Sequence, residues 1–168
     1  MSNTINIKTR YTLIPEGRYI FRIYDVEYEP EFGKIVIKLI NNKGQIHLER
    51  FFILTKDNEP NDNAINAFAY FAKTAINDFK LEDIDPKVLI DKYISATVSH
   101  YIVEPNDINN YEKPVTYMKL KDLEYAEGFD PDSNPVDKAL NFGKNNKVKK
   151  EESSANMKKG LDLDELLG

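Results

Sequence analysis

The residues of this chain that could do chemistry are rings and cations alternating with core-forming side chains along extended runs. Tyr117, Lys119 and Lys121 share one parity, opposite Met118 and Leu120. Arg18, Arg22 and Tyr24 share another, opposite Tyr19, Phe21 and Ile23. Lys34 and Lys38 alternate with Ile35, Ile37 and Leu39, while Arg50 with Phe51 or Phe52, and Tyr101, extend the set. Successive side chains of a strand point to opposite faces, so these groups are expected to look outward from a sheet. Cations neutralise phosphates, and flat rings stack on unpaired bases for roughly 1–3 kcal/mol each. A single-stranded nucleic acid is a ligand that uses both. Alternating lysines also protect exposed strands and keep them soluble; recurrence on several strands is what favours the chemical reading.

Other chemistry finds little here. The absence of Cys excludes disulfides, thiolate metal sites and thiol catalysis. Only His47 and His100 are present, too few for a multi-histidine zinc site. His100 shares the parity of Ile94 and Val98 and reads as a half-buried histidine, whereas His47 reads as solvated. No nucleophile elbow, phosphate-cradling glycine loop or dinucleotide fingerprint is present. Glu82-Asp83 reads as solvated loop charge rather than an acid/base couple. A non-enzymatic protein with no cofactor and no metal is expected. No apolar run is long enough for a membrane span and the N-terminus lacks a leader pattern, so a cytoplasmic location without membrane association is expected. A net charge of −5 argues against binding by bulk positivity and requires a local cationic groove.

Five runs predict strands. The first covers Arg18 to Glu29. Its apolar parity slips between Ile23 and Val26, which predicts a β-bulge near Tyr24-Asp25. Lys34 to Ile40 follows, then the turn Asn41-Asn42-Lys43-Gly44. The third, Gln45 to Leu54, is expected to point Ile46 and Leu48 inward, and Phe52 outward if a bulge falls near Glu49-Arg50. A helix is predicted over Asn63 to Phe79, capped by Asp62 or Asn63, with Ile65, Phe68, Ala69, Ala72, Ala75, Ile76 and Phe79 as its apolar stripe. Asp85-Pro86 predicts a short turn through Ile90. The last two strands are Tyr93 to Val103 and Val115 to about Leu123. The loop between them carries Tyr111 and Lys113, a candidate flexible clamp.

Three strands, a helix and two strands is the order of the OB-fold. The predicted fold is therefore mainly β: an OB-like five-stranded Greek-key barrel with one helix between strands 3 and 4. The alternative is an open antiparallel sheet with a helix across one face. Composition changes near Ala126, which divides the chain into a binding domain (1–125), a flexible polar linker (126–160) with a disordered stretch from about 130, and a tip (161–168). Leu161, Asp162, Leu163, Asp164, Glu165, Leu166 and Leu167 combine acids with leucines and carry no base. Such a tip on a tether suits capture by a basic-rimmed apolar pocket; docking back on the body as a short amphipathic helix is the alternative.

An OB-like body, polar linker and acidic-hydrophobic tip together resemble the single-stranded DNA-binding proteins of bacteria and their phages. Ile14-Pro15-Glu16-Gly17-Arg18-Tyr19 and Asp91-Lys92-Tyr93-Ile94-Ser95-Ala96-Thr97-Val98 are similar to phage and mobile-element members of that group. The resemblance implies a protein that coats exposed single strands during DNA replication and recombination, and a tip that recruits replication or recombination proteins. It leaves homo-oligomerisation open. The chain departs from the common bacterial pattern by ending in Leu-Leu-Gly and by lacking Trp, so stacking would rest on Tyr and Phe. The competing reading is a β-barrel adaptor or inhibitor whose acidic surface imitates nucleic acid.

Overall fold

The computed structural model describes residues 13–104 and 114–144. Tyr111, Lys113 and residues 161–167 lie outside the described residues. The fold is mainly β. Strands β1 (Gly17–Glu29), β2 (Lys34–Asn41), β3 (Ile46–Phe52), β4 (Tyr93–Val103) and β5 (Val115–Ala126) form one antiparallel sheet in the order β3-β2-β1-β4-β5. Helix α1 (Asp62–Ile76) joins β3 to β4, with a 3-10 turn at Pro86–Leu89, and a short α2 (Asp137–Asn141) follows β5. The sheet is open, with β3 and β5 as its edges. The expected closed barrel is therefore not observed.

The first strand bends where its parity slips. The β1–β2 register shifts between Ile23 and Asp25, and the extra residue returns Val26 to the face that buries Phe21 and Ile23. That face packs with Ile35, Ile37, Leu39, Ile94, Ala96, Val98 and Met118 against Phe68, Phe71, Ala72 and Ala75 of α1. The Asn61 side chain caps α1 by accepting from the Ala64 N–H. Asn77 then adopts a left-handed conformation and donates to the Lys73 and Thr74 carbonyls, ending the helix. This stop precedes the predicted one, so Phe79 is left exposed, as is Ile65, and Phe71 takes a core position instead. Asp85 caps the 3-10 turn through the Lys87 N–H, as the sequence suggests.

Three expectations about β3 are corrected. In β3, Ile46 pairs with Ile40 and Leu48 with Lys38, which places both on the face away from α1. The α1-facing parity holds His47, Glu49 and Phe51 instead. His47 is not solvated: its Nε2 lies 2.6 Å from Glu49 Oε1 with the ring nearly enclosed. Phe51 packs edge-on to Phe68 at 5.4 Å. Phe52 therefore faces outward without any bulge in β3.

The near half of the expected linker is packed rather than free. The Val136 N–H donates to the Asn42 carbonyl at 3.0 Å, and Ala139 is fully buried. Few apolar residues suffice, because hydrogen bonds to strap carbonyls add to their burial. Residues 136–143 thus form a strap across the sheet, and 145–160 lie outside the described residues. No described helix is long and apolar enough to cross a membrane.

Candidate nucleic-acid interface

The antiparallel register sets the expected rings and cations on one face, opposite α1. Across β3, β2 and β1 run the rows Phe52–Lys34–Glu29, Arg50–Val36–Glu27 and Leu48–Lys38–Asp25. Arg22 is opposite Ile40 on one side and Tyr93 on the other. Toward β5 the rows are Arg18–Thr97–Lys121, Ser99–Lys119 and Tyr101–Tyr117. The groups share a face, but three environments divide it.

The middle is sealed by the strap. Arg22 points outward as its parity predicts, yet its side chain is 1% exposed. Its Nε donates to the Ala139 carbonyl at 2.9 Å, a terminal nitrogen donates to the Phe142 carbonyl, and the other reaches Asp91 at 2.9 Å. Every arm of the guanidinium is thereby engaged. Tyr24 is also covered, its ring 4.8 Å from the Phe142 ring in an edge-on pair. Gly143 makes that approach feasible: its φ is +82°, and a Cβ there would lie 3.1 Å from the Tyr24 carbonyl oxygen. Burial pushes the phenols of Tyr24 and Tyr93 above their ordinary value. Arg22 and Tyr24 accordingly hold the strap, and neither is presented to a phosphate or a base in this arrangement.

The β1–β3 wing is acid-paired. Lys38 Nζ lies 2.8 Å from Glu27 and 3.6 Å from Asp25, and Lys34 Nζ lies 4.0 Å from Glu29. The hydrogen bond from Lys38 holds the Glu27 carboxyl below the usual glutamate range, and the same bond raises the Lys38 ammonium. Arg50 is exposed with no ion pair among the described residues, and Phe52 is 51% exposed.

The β4–β5 wing is the more open. The Tyr101 and Tyr117 rings stack with centroids 5.7 Å apart and planes 29° from parallel, and Tyr101 is 44% exposed. Lys119 and Lys121 are exposed, and neither makes an ion pair among the described residues. Arg18 is fixed by Thr97 Oγ1 at 3.0 Å, Glu124 at 2.8 Å and the Asp122 carbonyl. The irregular register between Ser95 and Thr97, with Asp122 at φ +52°, brings that carbonyl to the guanidinium.

Sequence reasoning did not anticipate a cavity beside Arg18, lined also by Ile20, Asn42, Ser95, Phe129 and Asp130. Its outer wall comes from the segment after β5, which polar composition disguises.

The chain matches no known family model, no curated protein and no solved structure. What the face can do therefore follows from its chemistry. Stacked phenols beside ammonium groups that have no acidic partner among the described residues suit a polyanion bearing flat rings; the acid-paired wing suits it less.

Proposed function

We propose that the protein binds single-stranded DNA in the cytoplasm, without acting on it as an enzyme. It coats exposed strands with weak sequence preference during replication or recombination, and residues 161–167 recruit partner proteins. One observation carries the reading: the stacked Tyr101–Tyr117 pair stands in register with Lys119 and Lys121, which have no acidic partner among the described residues. Stacking is indifferent to base identity, and phosphate neutralisation is steeply salt-dependent. Phosphates are assigned to Lys119, Lys121, Arg50 and, through its free edge, Arg18, and stacking to Tyr101, Tyr117 and Phe52. Lys34 and Lys38 contribute when a phosphate displaces their carboxylates.

The OB-type fold belongs to this proposal. Its support is the helix between β3 and β4 and a sheet whose edges, β3 and β5, are the strands whose pairing would close a ring.

The test is a titration of fluorescently labelled oligo-dT at two salt concentrations. Binding that weakens steeply with salt, and weakens further in Lys119→Glu, is expected. No binding at low salt would overturn the reading. It would favour the second one, a protein-binding adaptor, which the carboxylates Asp25, Glu27, Glu29 and Glu124 on the same face support. Deleting residues 161–168 is expected to preserve or tighten DNA binding while abolishing partner capture.

A further inference from the structure

Beside Arg18 the sheet and the segment after β5 enclose a cavity of about 270 Å³. Sites for drug-sized ligands run from about 300 to 1,000 Å³, so this one suits a single base with part of its sugar. Ser95 lines it from β4, two residues before Thr97 and four before Ser99. The cavity thus extends the outward row of Tyr101, Ser99 and Thr97 by one step of roughly 7 Å, the repeat of same-face residues.

Its walls are flat or apolar. The Phe129 ring is held edge-on by Tyr93 at 5.1 Å, the Arg18 guanidinium is fixed by Thr97 and Glu124, and Ile20 supplies an apolar contact. Guanidinium planes and aromatic rings both stack on bases. The Ser133 hydroxyl in its lining is spent on the Asp130 carbonyl at 2.7 Å, but the Asn42 amide and the Ser95 hydroxyl have no hydrogen-bond partner among the described residues. Asp130 accepts the Asp132 N–H through Oδ1 at 3.1 Å, which leaves its other oxygen available. A carboxylate there repels phosphate but accepts from an exocyclic amino group.

We infer that this cavity is a nucleobase pocket selective for a base carrying an exocyclic amino group, such as cytosine, over thymine. The inference rests on the single-strand reading above and adds one discriminating position to a face that otherwise accepts any base. Thymine presents a carbonyl oxygen where cytosine presents its amino group, so the Asp130 carboxylate attracts one and repels the other.

The experiment compares labelled oligo-dC and oligo-dT of equal length, at one salt concentration, on the full chain. Oligo-dC is expected to bind about five- to tenfold more tightly, as one good hydrogen-bonding contact to a base edge gives. Asp130→Asn is expected to bring the two within about twofold; its side-chain oxygen still accepts the Asp132 N–H, so the loop is retained. Ser95→Ala serves as a second variant on a different element, with a smaller loss of preference. Equal affinity of the unaltered chain for both oligomers, or a preference untouched by Asp130→Asn, overturns the pocket and leaves single-strand binding standing. Binding of neither oligomer overturns both.

Discussion

Arg22 Nε donates to the Ala139 carbonyl at 2.9 Å, joining β1 to a strap residue 117 positions later. A guanidinium turned toward solvent by its strand is thereby converted into an internal anchor. Arg22→Met keeps the length but removes the donors, leaving two carbonyls without their partner. The expected cost is about 2–4 kcal/mol, read as a fall in melting temperature of roughly 5–15 °C. The slope of log affinity for oligo-dT against log salt should stay unchanged. A lower slope without a lower melting temperature would return Arg22 to the phosphate contacts.

Tyr101→Ala and Tyr117→Ala should each weaken oligo-dT binding by about 1–3 kcal/mol, the contribution of a base-stacking ring. Lys119→Ala and Lys121→Ala should act differently: each lowers the single-strand salt slope by about 0.7. Fluorescence anisotropy across a salt series separates the two signatures. Identical salt slopes in the lysine variants and the unaltered chain would exclude phosphate contacts there.

Glu27 restrains Lys38, and the restraint is pH-dependent. The Glu27 pKa is lowered by the Lys38 hydrogen bond, so its part of the interaction is present above the ordinary glutamate range and is lost as pH falls through its lowered value. The Lys38 pKa is raised by the same bond. Its part is present below the ordinary lysine value and is lost as pH rises through the raised one. Glu27→Gln should leave the ammonium held by Asp25 alone and tighten oligo-dT binding by about two- to fivefold at neutral pH, with little change in stability because the Glu27 carboxylate is exposed. A carboxyl NMR titration should show Glu27 returning to the usual glutamate range in Lys38→Met.

Much of the sheet was legible because its signals are local. The slip between Ile23 and Val26 announces the bulge, and the alternation from Tyr93 to Val103 gives β4 its observed limits. Other features depend on partners distant in the chain. Ile46 and Leu48 look like core-facing residues, but they lie on the strap side, while His47 and Glu49 satisfy each other on the α1 side. No periodicity marks residues 136–143, because the Arg22 bonds end on main-chain carbonyls, which every residue has. The outward direction of Arg22 and Tyr24 was readable from β1, but not their enclosure. Phe129 and Asp130 were unreadable as a pocket wall for the same reason.

Alkaline pH should loosen the strap. Burial raises the phenol pKa values of Tyr24 and Tyr93, so the unfolded chain releases these protons first. The associated stability is complete below the ordinary tyrosine value and is lost as pH rises through the raised ones. Titration of phenolate absorbance should show two tyrosines ionising late, and thermal stability should fall over the same range. In Phe142→Ala, which opens the Tyr24 ring to water, one of the two should revert. Ordinary ionisation of every tyrosine in the unaltered chain would contradict the enclosure of both rings.

The anchoring of Phe142 also decides where the remaining chain starts. It departs from the sheet face bearing the stacked phenols rather than from the α1 side, and residue 161 is within about 60 Å of Lys144 even if fully extended. If the single-strand proposal holds, a partner grasping the leucines would stay within that radius of the strand, with its local concentration set by chain length instead of by its own affinity for DNA.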